Sequence, residues 1–355
     1  MHPNPSWATD ETDEDTKLKL APFSLLDRQN ENSFLPENVL DIARMKNANQ
    51  SSVSACVVQS VRFHPNSDLL LTAGYDKTLR IFKLDGKLNP KIQSIYFEDM
   101  PIHKAEFTFD GNQIIVCGRR KFFYAVDLDN FSLEKIPQII GFDAKSLEKF
   151  ELSPCNRFIA FTYVNGQIAI VSLKTKKLIK ILQMNGSVFS LKFSKDHKYL
   201  FSFGSDRTVY QWELETFRPI HKFSDNGSIK GSCVSVSPGL KYFACGSNSG
   251  VVNLYDGTCL KSTHPNVIKS FGNLLTPIWE IKFHPSEELM AIASREKKNA
   301  LRLVHLRSMT VFSNWPTTTT PLNYVSSIDF SHCGKFLAIG NDKGRVFLYR
   351  LKHFQ

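Results

Sequence analysis

The residue types most often used in catalysis recur here at matching places instead of converging on one site. His64 and His284 are each followed by proline in the same sequence context. A catalytic or metal-binding histidine needs converging partner residues, so this repetition favours a structural role in a turn. Asp76, Asp206 and Asp342 also recur shortly after a glycine. Their short carboxylates can accept backbone N–H groups of a tight turn, and we predict that structural role for all three.

Sequence motifs of enzymes are missing from the chain. It contains no glycine-rich phosphate-binding loop, no zinc-protease motif, no serine nucleophile elbow and no paired-cysteine zinc pattern. The seven cysteines include no C-x-x-C pair. Single cysteines within apolar runs are typical of reduced, packed thiols in an intracellular protein. These patterns predict a protein that is not an enzyme and that uses no cofactor, metal ion or small-molecule substrate.

Charge is distributed unevenly along the chain. Residues 1–55 contain nine acidic and five basic side chains, a net charge of −4, whereas residues 56–355 contain 39 basic and 25 acidic side chains, a net charge of +14. A basic body attracts polyanions, nucleic acid above all. A soluble, lysine-rich surface explains the same charge equally well. The acidic start resembles no signal peptide and no apolar run is long enough for a membrane span, so we expect neither secretion nor membrane insertion.

A short pattern recurs seven times along the basic body: an apolar alternation that usually ends in Phe, a turn, a second apolar run and a polar turn. The third residues of the alternations are 41 to 47 positions apart, close to the 40 to 45 residues of a four-stranded propeller blade. These residues are Phe63, Phe107, Leu152, Phe193, Val236, Phe283 and Phe330.

The first repeat shows how each unit divides into strands. Two alternating segments, 57–63 and 78–84, flank an apolar run at 69–73, and a weaker fourth segment follows at 91–97. One such sheet cannot bury both faces, but a ring of stacked sheets can. Helical periodicity is almost absent, and we therefore predict an all-β, seven-bladed propeller.

The last repeat ends after its third strand, at 345–351. An exposed strand edge is normally covered, and the segment 39–45 before the first repeat is the natural donor. We predict that this N-terminal strand closes the ring on the last blade. The predicted organisation is an acidic, disordered segment at 1–35 followed by the propeller at 36–355.

This fold would gather cationic loops on each face of the ring. The loops between second and third strands would share one face, where we predict a positive surface for a protein partner or RNA phosphate, although a solvated loop explains each cluster as well. Its candidate residues are Lys77, Arg119, Arg120, Lys121, Arg207, Arg295, Lys297, Lys298 and Lys343. The opposite face would carry a second cluster of Lys174, Lys176, Lys177 and Lys180.

Two segments, 74–84 and 204–214, resemble the WD40 repeat, in which a glycine and a polar turn with aspartate precede an alternating strand. The motif is degenerate elsewhere: Trp212-Glu213 is the nearest approach to the Trp-Asp dipeptide. The aromatic residues of the third strands are expected to pack between blades rather than to stack on bases. These residues are Phe82, Trp212, Tyr255 and Tyr349.

The last quarter of the chain, at 300–306, 310–316 and 337–354, resembles the U3 small nucleolar RNA-associated protein 18 family. The resemblance covers residues 36–355. It implies a WD40 scaffold that is located in the nucleus, within the nucleolus. It implies membership of the UTP-B subcomplex of the small-subunit processome. Its partners there would be other WD40-repeat subunits, the U3 ribonucleoprotein and pre-ribosomal RNA, for maturation of the 18S RNA. Some members carry a short motif that recruits the exosome helicase, but 23–27 has the wrong spacing and that role is not carried over.

Two other functions stay open from the sequence. A general WD40 adaptor for a peptide or a modified histone, outside the nucleolus, would have an aromatic-lined central pocket. A propeller enzyme would need converging carboxylates, a triad or a metal shell around the central channel.

Overall fold

The computed structural model describes residues 35–142, 144–317 and 320–354, without the side chain of Val164. Within these residues the chain forms seven four-stranded antiparallel sheets and three short 3-10 helices, at Val164–Gly166, Gly257–Lys261 and Lys352–Phe354. The predicted seven-bladed propeller is confirmed. The predicted segment 1–35 and its motif at 23–27 lie outside the described residues, apart from residue 35, and the domain boundary stays a prediction.

A short strand, β1 (Ile42–Arg44), precedes the first blade, and each blade then runs from an inner strand beside the central channel to an outer strand at the rim. Blade one contains β2 (Val58–Phe63), β3 (Leu69–Gly74), β4 (Thr78–Lys83) and β5 (Lys91–Tyr96). Burial follows the sequence pattern: the apolar strand β3 is almost wholly buried, whereas β5 alternates between half-buried and exposed residues.

The other blades repeat this order, and their strands are bounded as follows. Blade two contains β6 (Lys104–Phe107), β7 (Gln113–Cys117), β8 (Phe123–Asp127) and β9 (Leu133–Ile136). Blade three contains β10 (Phe150–Leu152), β11 (Phe158–Thr162), β12 (Gln167–Ser172) and β13 (Leu178–Gln183). Blade four contains β14 (Val188–Phe193), β15 (Tyr199–Gly204), β16 (Thr208–Glu213) and β17 (Pro219–Ser224).

Blade five contains β18 (Gly231–Val236), β19 (Tyr242–Ser247), β20 (Val252–Asp256) and β21 (Lys269–Phe271). Blade six contains β22 (Ile278–Phe283), β23 (Leu289–Ser294), β24 (Leu301–His305) and β25 (Thr310–Val311). Blade seven contains only three strands from the C-terminal part of the chain, β26 (Val325–Phe330), β27 (Phe336–Asn341) and β28 (Val346–Leu351).

The N-terminal strand completes blade seven, as predicted. β1 pairs antiparallel with β28, and Ile42 lies opposite Leu351. Asn49 reinforces the closure, because its side-chain N–H donates to the carbonyl of Gly344 at 2.7 Å and its oxygen accepts the N–H of Val346 at 3.0 Å. Pairing these two distant parts of the chain removes the open edge of the last blade.

The core lies between neighbouring blades. One cluster joins Leu71 and Ile81 of blade one to Ile114 and Val126 of blade two. The four third-strand aromatic residues are all buried, with at most 3% of each side chain exposed, which fits their expected packing role. They are Phe82, Trp212, Tyr255 and Tyr349.

The two repeated histidines each join their own blade to the next one. His64 Nε2 lies 3.2 Å from the carbonyl oxygen of Gly111, and its ring meets Phe107 edge-on. His284 makes the same pair of contacts, with the carbonyl of Gly334 at 2.9 Å and with the ring of Phe330. The repeated His-Pro pair is thus a turn that attaches adjacent blades.

Candidate functional site: the central channel and its mouth

The alternation at the end of each inner strand finishes in a tripeptide such as Val61-Arg62-Phe63, whose third residue recurs at blade spacing. The middle residues of these seven tripeptides form the wall of the central channel. In a strand, successive side chains point to opposite faces, so the apolar residues on either side pack between blades while the middle residue faces the channel. These middle residues are Arg62, Glu106, Glu151, Lys192, Ser235, Lys282 and Asp329. Lys104 and Glu280 join the wall from two positions earlier in blades two and six.

Most charges of the wall form ion pairs that run from blade to blade. Arg62 contacts Glu106 at 3.1 Å and Glu280 at 3.0 Å. Lys104 contacts Glu106 at 3.2 Å and Glu151 at 3.0 Å. The row continues with contacts of Lys192 to Glu151 and of Lys282 to Asp329. Four cations therefore face four carboxylates, and the wall of the channel is close to neutral.

These pairs change the pKa values of the wall residues. Burial opposes the charged form of Arg62, but the carboxylates of Glu280, Asp329 and Glu106 raise its pKa above the ordinary value. Burial likewise opposes ionisation of Glu151, but Lys192 and Lys104 lower its pKa well below 4.5. Both groups stay ionised at neutral pH because their partners are ionised too.

The antiparallel blades define two faces. The hairpins between second and third strands emerge at the same end of each blade as the connections from one blade to the next, and we call this end the hairpin face. The turns that join first to second and third to fourth strands emerge at the other end, the turn face. The predicted clusters therefore lie on opposite faces: the set from Lys77 to Lys343 on the hairpin face, and Lys174, Lys176 and Lys177 at one turn of blade three.

The structure brings only two of the hairpin-face candidates together. Arg119 and Arg295 line one cavity of about 560 Å³ that extends from the hairpin face into the channel, where wall residues such as Glu106 and Lys192 also line it. The other candidates lie outside its lining. Arg120 and Lys121 follow Arg119 in the same hairpin, Lys297 and Lys298 share the hairpin of Arg295, and three other hairpins carry Lys77, Arg207 and Lys343. Most of these are exposed, whereas Lys77 is half-buried and its ammonium donates to the carbonyl of Glu98 at 2.9 Å.

The cluster on the turn face is not uniformly solvated. Lys174 and Lys177 are exposed, but Lys176 is half-buried with φ of 55°. Burial lowers the pKa of Lys176, and Glu134 offsets only part of that shift. Lys180 follows on β13 and is exposed.

A β-bulge recurs in the inner strands and contributes to the lining of the cavity at the hairpin face. In five blades the second residue of the inner strand has no partner on the neighbouring strand, because the pairing register shifts at that residue. Such bulges re-aim side chains and are common beside binding sites. The five residues all line the cavity, and they are Gln59, Phe189, Ser232, Trp279 and Ser326.

Two of these bulged residues place aromatic rings at the mouth, and cations lie on the rings. The guanidinium of Arg295 lies 3.5 Å from the centroid of Trp279, whose side chain is 44% exposed. The ammonium of Lys149 lies 5.6 Å from the ring of Phe189 and also 5.6 Å from Trp279. Lys230 lies 4.7 Å from Phe189. We call Phe189, Trp279, Lys149, Lys230 and Arg295 the aromatic mouth.

The cations of the aromatic mouth lack acidic partners. Among the residues that the structure describes, no ion pair involves Lys149, Lys230 or Arg295. Burial lowers the pKa of Arg295 to about 10 and also lowers the pKa of Lys149. Two rim carboxylates, Glu148 and Glu296, also line this cavity, and Glu148 is held by Arg119 at 2.7 Å. The mouth is therefore a partly desolvated positive site that an anion would stabilise.

The three predicted turn aspartates occupy hairpins, with one difference in bonding. Oδ1 of Asp76 accepts the N–H of Thr78 at 3.3 Å, and Oδ1 of Asp206 accepts that of Thr208 at 3.2 Å. Asp342 instead accepts the N–H of Tyr324 at 3.2 Å, from the connection between blades. In that hairpin the amide oxygen of Asn341 accepts the turn N–H groups, because the asparagine stands one residue earlier.

Sequence reasoning missed the channel wall and the aromatic mouth, although it named an aromatic-lined central pocket as the feature of a general WD40 adaptor. The signal for the mouth was present: Phe189 and Trp279 stand where the matching residues of other blades are Gln59, Ser232 and Ser326. A large aromatic side chain at a position that is otherwise polar points to a binding role.

Within the described residues there is no group of three or more His, Cys, Asp or Glu placed to hold a metal ion. No helix in that part of the chain is long and apolar enough to cross a membrane.

Comparison with known proteins shows which family this chain is similar to. The family model "WD domain, G-beta repeat" matches residues 47–83, 176–213 and 217–256. The chain is 45% identical over 316 residues to the U3 small nucleolar RNA-associated protein 18 homolog of Arabidopsis thaliana, covering 89% of this chain and 58% of that protein. It is 38% identical over 323 residues to the human homolog, covering 90% of this chain and 58% of the relative.

The chain thus spans somewhat more than half the length of these two relatives. A shorter relative is covered more fully: the probable U3 small nucleolar RNA-associated protein 18 of Schizosaccharomyces pombe is 32% identical over 373 residues, with 100% of this chain and 72% of that protein aligned. Because the similarity runs through all seven blades at this identity, the chain belongs to the U3 small nucleolar RNA-associated protein 18 family.

Proposed function

We propose that this protein is a non-catalytic WD40 scaffold in ribosome biogenesis, a subunit of the U3 particle or small-subunit processome that is needed for processing of pre-ribosomal RNA and maturation of 18S RNA. The observation that carries the proposal is the similarity over the whole propeller to proteins named for their association with U3 small nucleolar RNA. The proposed location is accordingly the nucleolus of the nucleus.

The geometry supports a scaffold rather than an enzyme. The carboxylates of the channel wall are paired with cations at 3.0 to 3.4 Å, so these carboxylates are not free to act as a general acid or base. A propeller presents two faces and a rim, and it can hold several partners at once in a fixed arrangement. The proposed partners are other WD40-repeat subunits of the UTP-B subcomplex, the U3 ribonucleoprotein and pre-ribosomal RNA.

The hairpin face is the proposed surface for association with the particle. Arg119 is 71% exposed and Arg120 and Lys121 are exposed beside it. Exposed charges contribute little to folding, so they can serve binding without a cost in stability. Replacing Arg119, Arg120 and Lys121 together by Glu should weaken association while the melting temperature stays near that of the parent.

The test is purification of the tagged protein from cell extract over a series of salt concentrations, with sequencing of the bound RNA. We expect enrichment of U3 and pre-ribosomal spacer RNA, which declines with salt and declines further in the triple variant. A matched control reverses three exposed charges around the turn between β4 and β5 of blade one, Lys83→Glu with Lys87→Glu and Lys91→Glu. Absence of both RNAs at low salt, with the protein intact, would contradict the proposal and favour a general WD40 adaptor.

A further inference from the structure

We propose that the aromatic mouth is a binding site for single-stranded RNA, in which bases stack on Trp279 and Phe189 and phosphates lie against Lys149, Lys230 and Arg295. The choice of RNA as the polyanion rests on the proposed function. The site itself rests on the local geometry of the hairpin face.

The rings are arranged for contact with a ligand rather than for packing. An indole that is 44% exposed stands at the edge of a concave site, although the buried tryptophan Trp212 shows that this fold can enclose such a ring completely. Both rings sit at strand bulges, which turn them away from the blade interface. Stacking of bases on such rings binds single strands with little dependence on sequence.

The charges complement this arrangement. Three cations lie between 3.5 and 5.6 Å from the centroids of the same two rings. Within the described part of the chain, Lys149 donates only to the backbone carbonyl of Phe189, at 3.2 Å, and Arg295 only to that of Ser326, at 2.7 and 3.1 Å. Glu280 of the wall and Glu148 at the rim offset only part of the effect of burial on the pKa values of Arg295 and Lys149, respectively. A positive excess at the rim therefore remains available to phosphate groups.

The size and the chemistry of the site select among polyanions. A cavity of about 560 Å³ admits one or two nucleotides but no duplex. Cations alone would serve an acidic peptide as well as a nucleic acid. The 44% exposed indole of Trp279 and the half-buried ring of Phe189 beside those cations favour a ligand that has both planar bases and phosphates, which is the combination in single-stranded RNA.

Tryptophan fluorescence gives a direct readout. The chain contains four tryptophans: Trp212 and Trp315 are buried, Trp279 is exposed, and Trp7 lies outside the described residues. In full-length protein carrying Trp7→Phe, we would titrate an eight-nucleotide single-stranded RNA of mixed sequence at low salt. We expect saturable quenching, because a base stacked on Trp279 quenches its emission. The Trp279→Phe variant should lose the quenching but keep most of the binding, measured by anisotropy of a labelled RNA.

Variants separate the site from general attraction. Trp279→Ala and the double variant Lys149→Glu with Lys230→Glu should each weaken binding at least tenfold, and the double variant should also reduce its salt dependence. The pair Lys87→Glu with Lys91→Glu removes the same charge elsewhere and should weaken binding less than threefold. Melting temperatures identify any variant that fails to fold. If Trp279→Ala fails to fold, Trp279→Phe, which keeps an aromatic ring, still tests the site through the loss of quenching.

The outcomes distinguish this inference from the proposed function. RNA binding that is absent, or unchanged in all mouth variants, would overturn the inference but leave association with U3 in cells untouched. Quenching by an oligo-glutamate peptide and not by RNA would also overturn it, in favour of an acidic protein segment. Conversely, mouth-dependent RNA binding in vitro without U3 in the cellular purification would count against the proposed function alone.

Discussion

Replacing Glu151 by Gln should destabilise the propeller, because this carboxylate joins two cations in the channel wall. Its side chain is only 11% exposed, and Lys104 lies 3.0 Å away. Opposite charges at that distance attract by about 5–6 kcal/mol at an effective dielectric constant near 20, although desolvation offsets most of this energy. Removing one partner of a buried pair costs about 3–5 kcal/mol.

Two features of the structure reduce that cost. Lys104 keeps Glu106 at 3.2 Å, and the side chain of Lys192 is 32% exposed, so water can hydrate it. We therefore expect a loss of about 2–3 kcal/mol. For a unit of about 320 residues this corresponds to a fall in melting temperature of about 3–5 °C. Differential scanning calorimetry at pH 7 measures it.

A second substitution and a pH series test the cause. Lys192→Met alone should cost less, about 1 kcal/mol, because Glu151 keeps Lys104, and the double variant should cost less than the sum of the two single variants. The pKa of Glu151 is lowered in the folded state, so this carboxylate stabilises the fold above pH 4.5, and that stabilisation is lost as the pH falls below this value. The difference in melting temperature between the parent and Glu151→Gln should therefore become smaller in acid. A variant that melts with the parent at pH 7 would refute the account of the channel wall.

Further predictions concern turns and a buried histidine. Asp206→Ala removes the acceptor for the N–H of Thr208, which should cost about 1 kcal/mol of stability and lower the melting temperature by about 1–2 °C. A melting curve identical to that of the parent would contradict the turn role. Burial lowers the pKa of His284 from 6.5 to about 4. The contribution of this side chain to the stability of the fold is therefore complete above pH 6.5, and about 2–3 kcal/mol of stability is lost as the pH falls toward 4. In His284→Gln the decline of melting temperature over that range should be shallower than in the parent, and an equal decline would count against neutral burial of this ring.

The fold could be predicted because the repeat imposes it. The tripeptides that end at Phe63 and its counterparts recur at blade spacing, and alternation along them specifies which side chains face the neighbouring blade. Ring closure followed from a missing fourth strand, and the pairing of Ile42 with Leu351 confirms it. Both features depend on local pattern and on the need to cover a strand edge.

The candidate site was harder to predict because it depends on contacts between blades. The middle residues of the tripeptides, such as Glu151 and Lys192, look like ordinary solvent-facing positions until the ring brings seven of them together. Likewise Lys149 and Lys230 are distant in sequence from Trp279, and only the closed ring places Lys149 within 5.6 Å of it. The strand bulge at Trp279 is a backbone feature that side-chain alternation does not reveal.

The most direct test of the central claim is to deplete the protein from cells and measure the ribosomal RNAs. The scaffold account predicts that mature 18S RNA falls and its precursors accumulate while large-subunit RNA is spared, and that the intact protein restores processing. Normal 18S RNA and normal precursors after full depletion would contradict a role in small-subunit assembly.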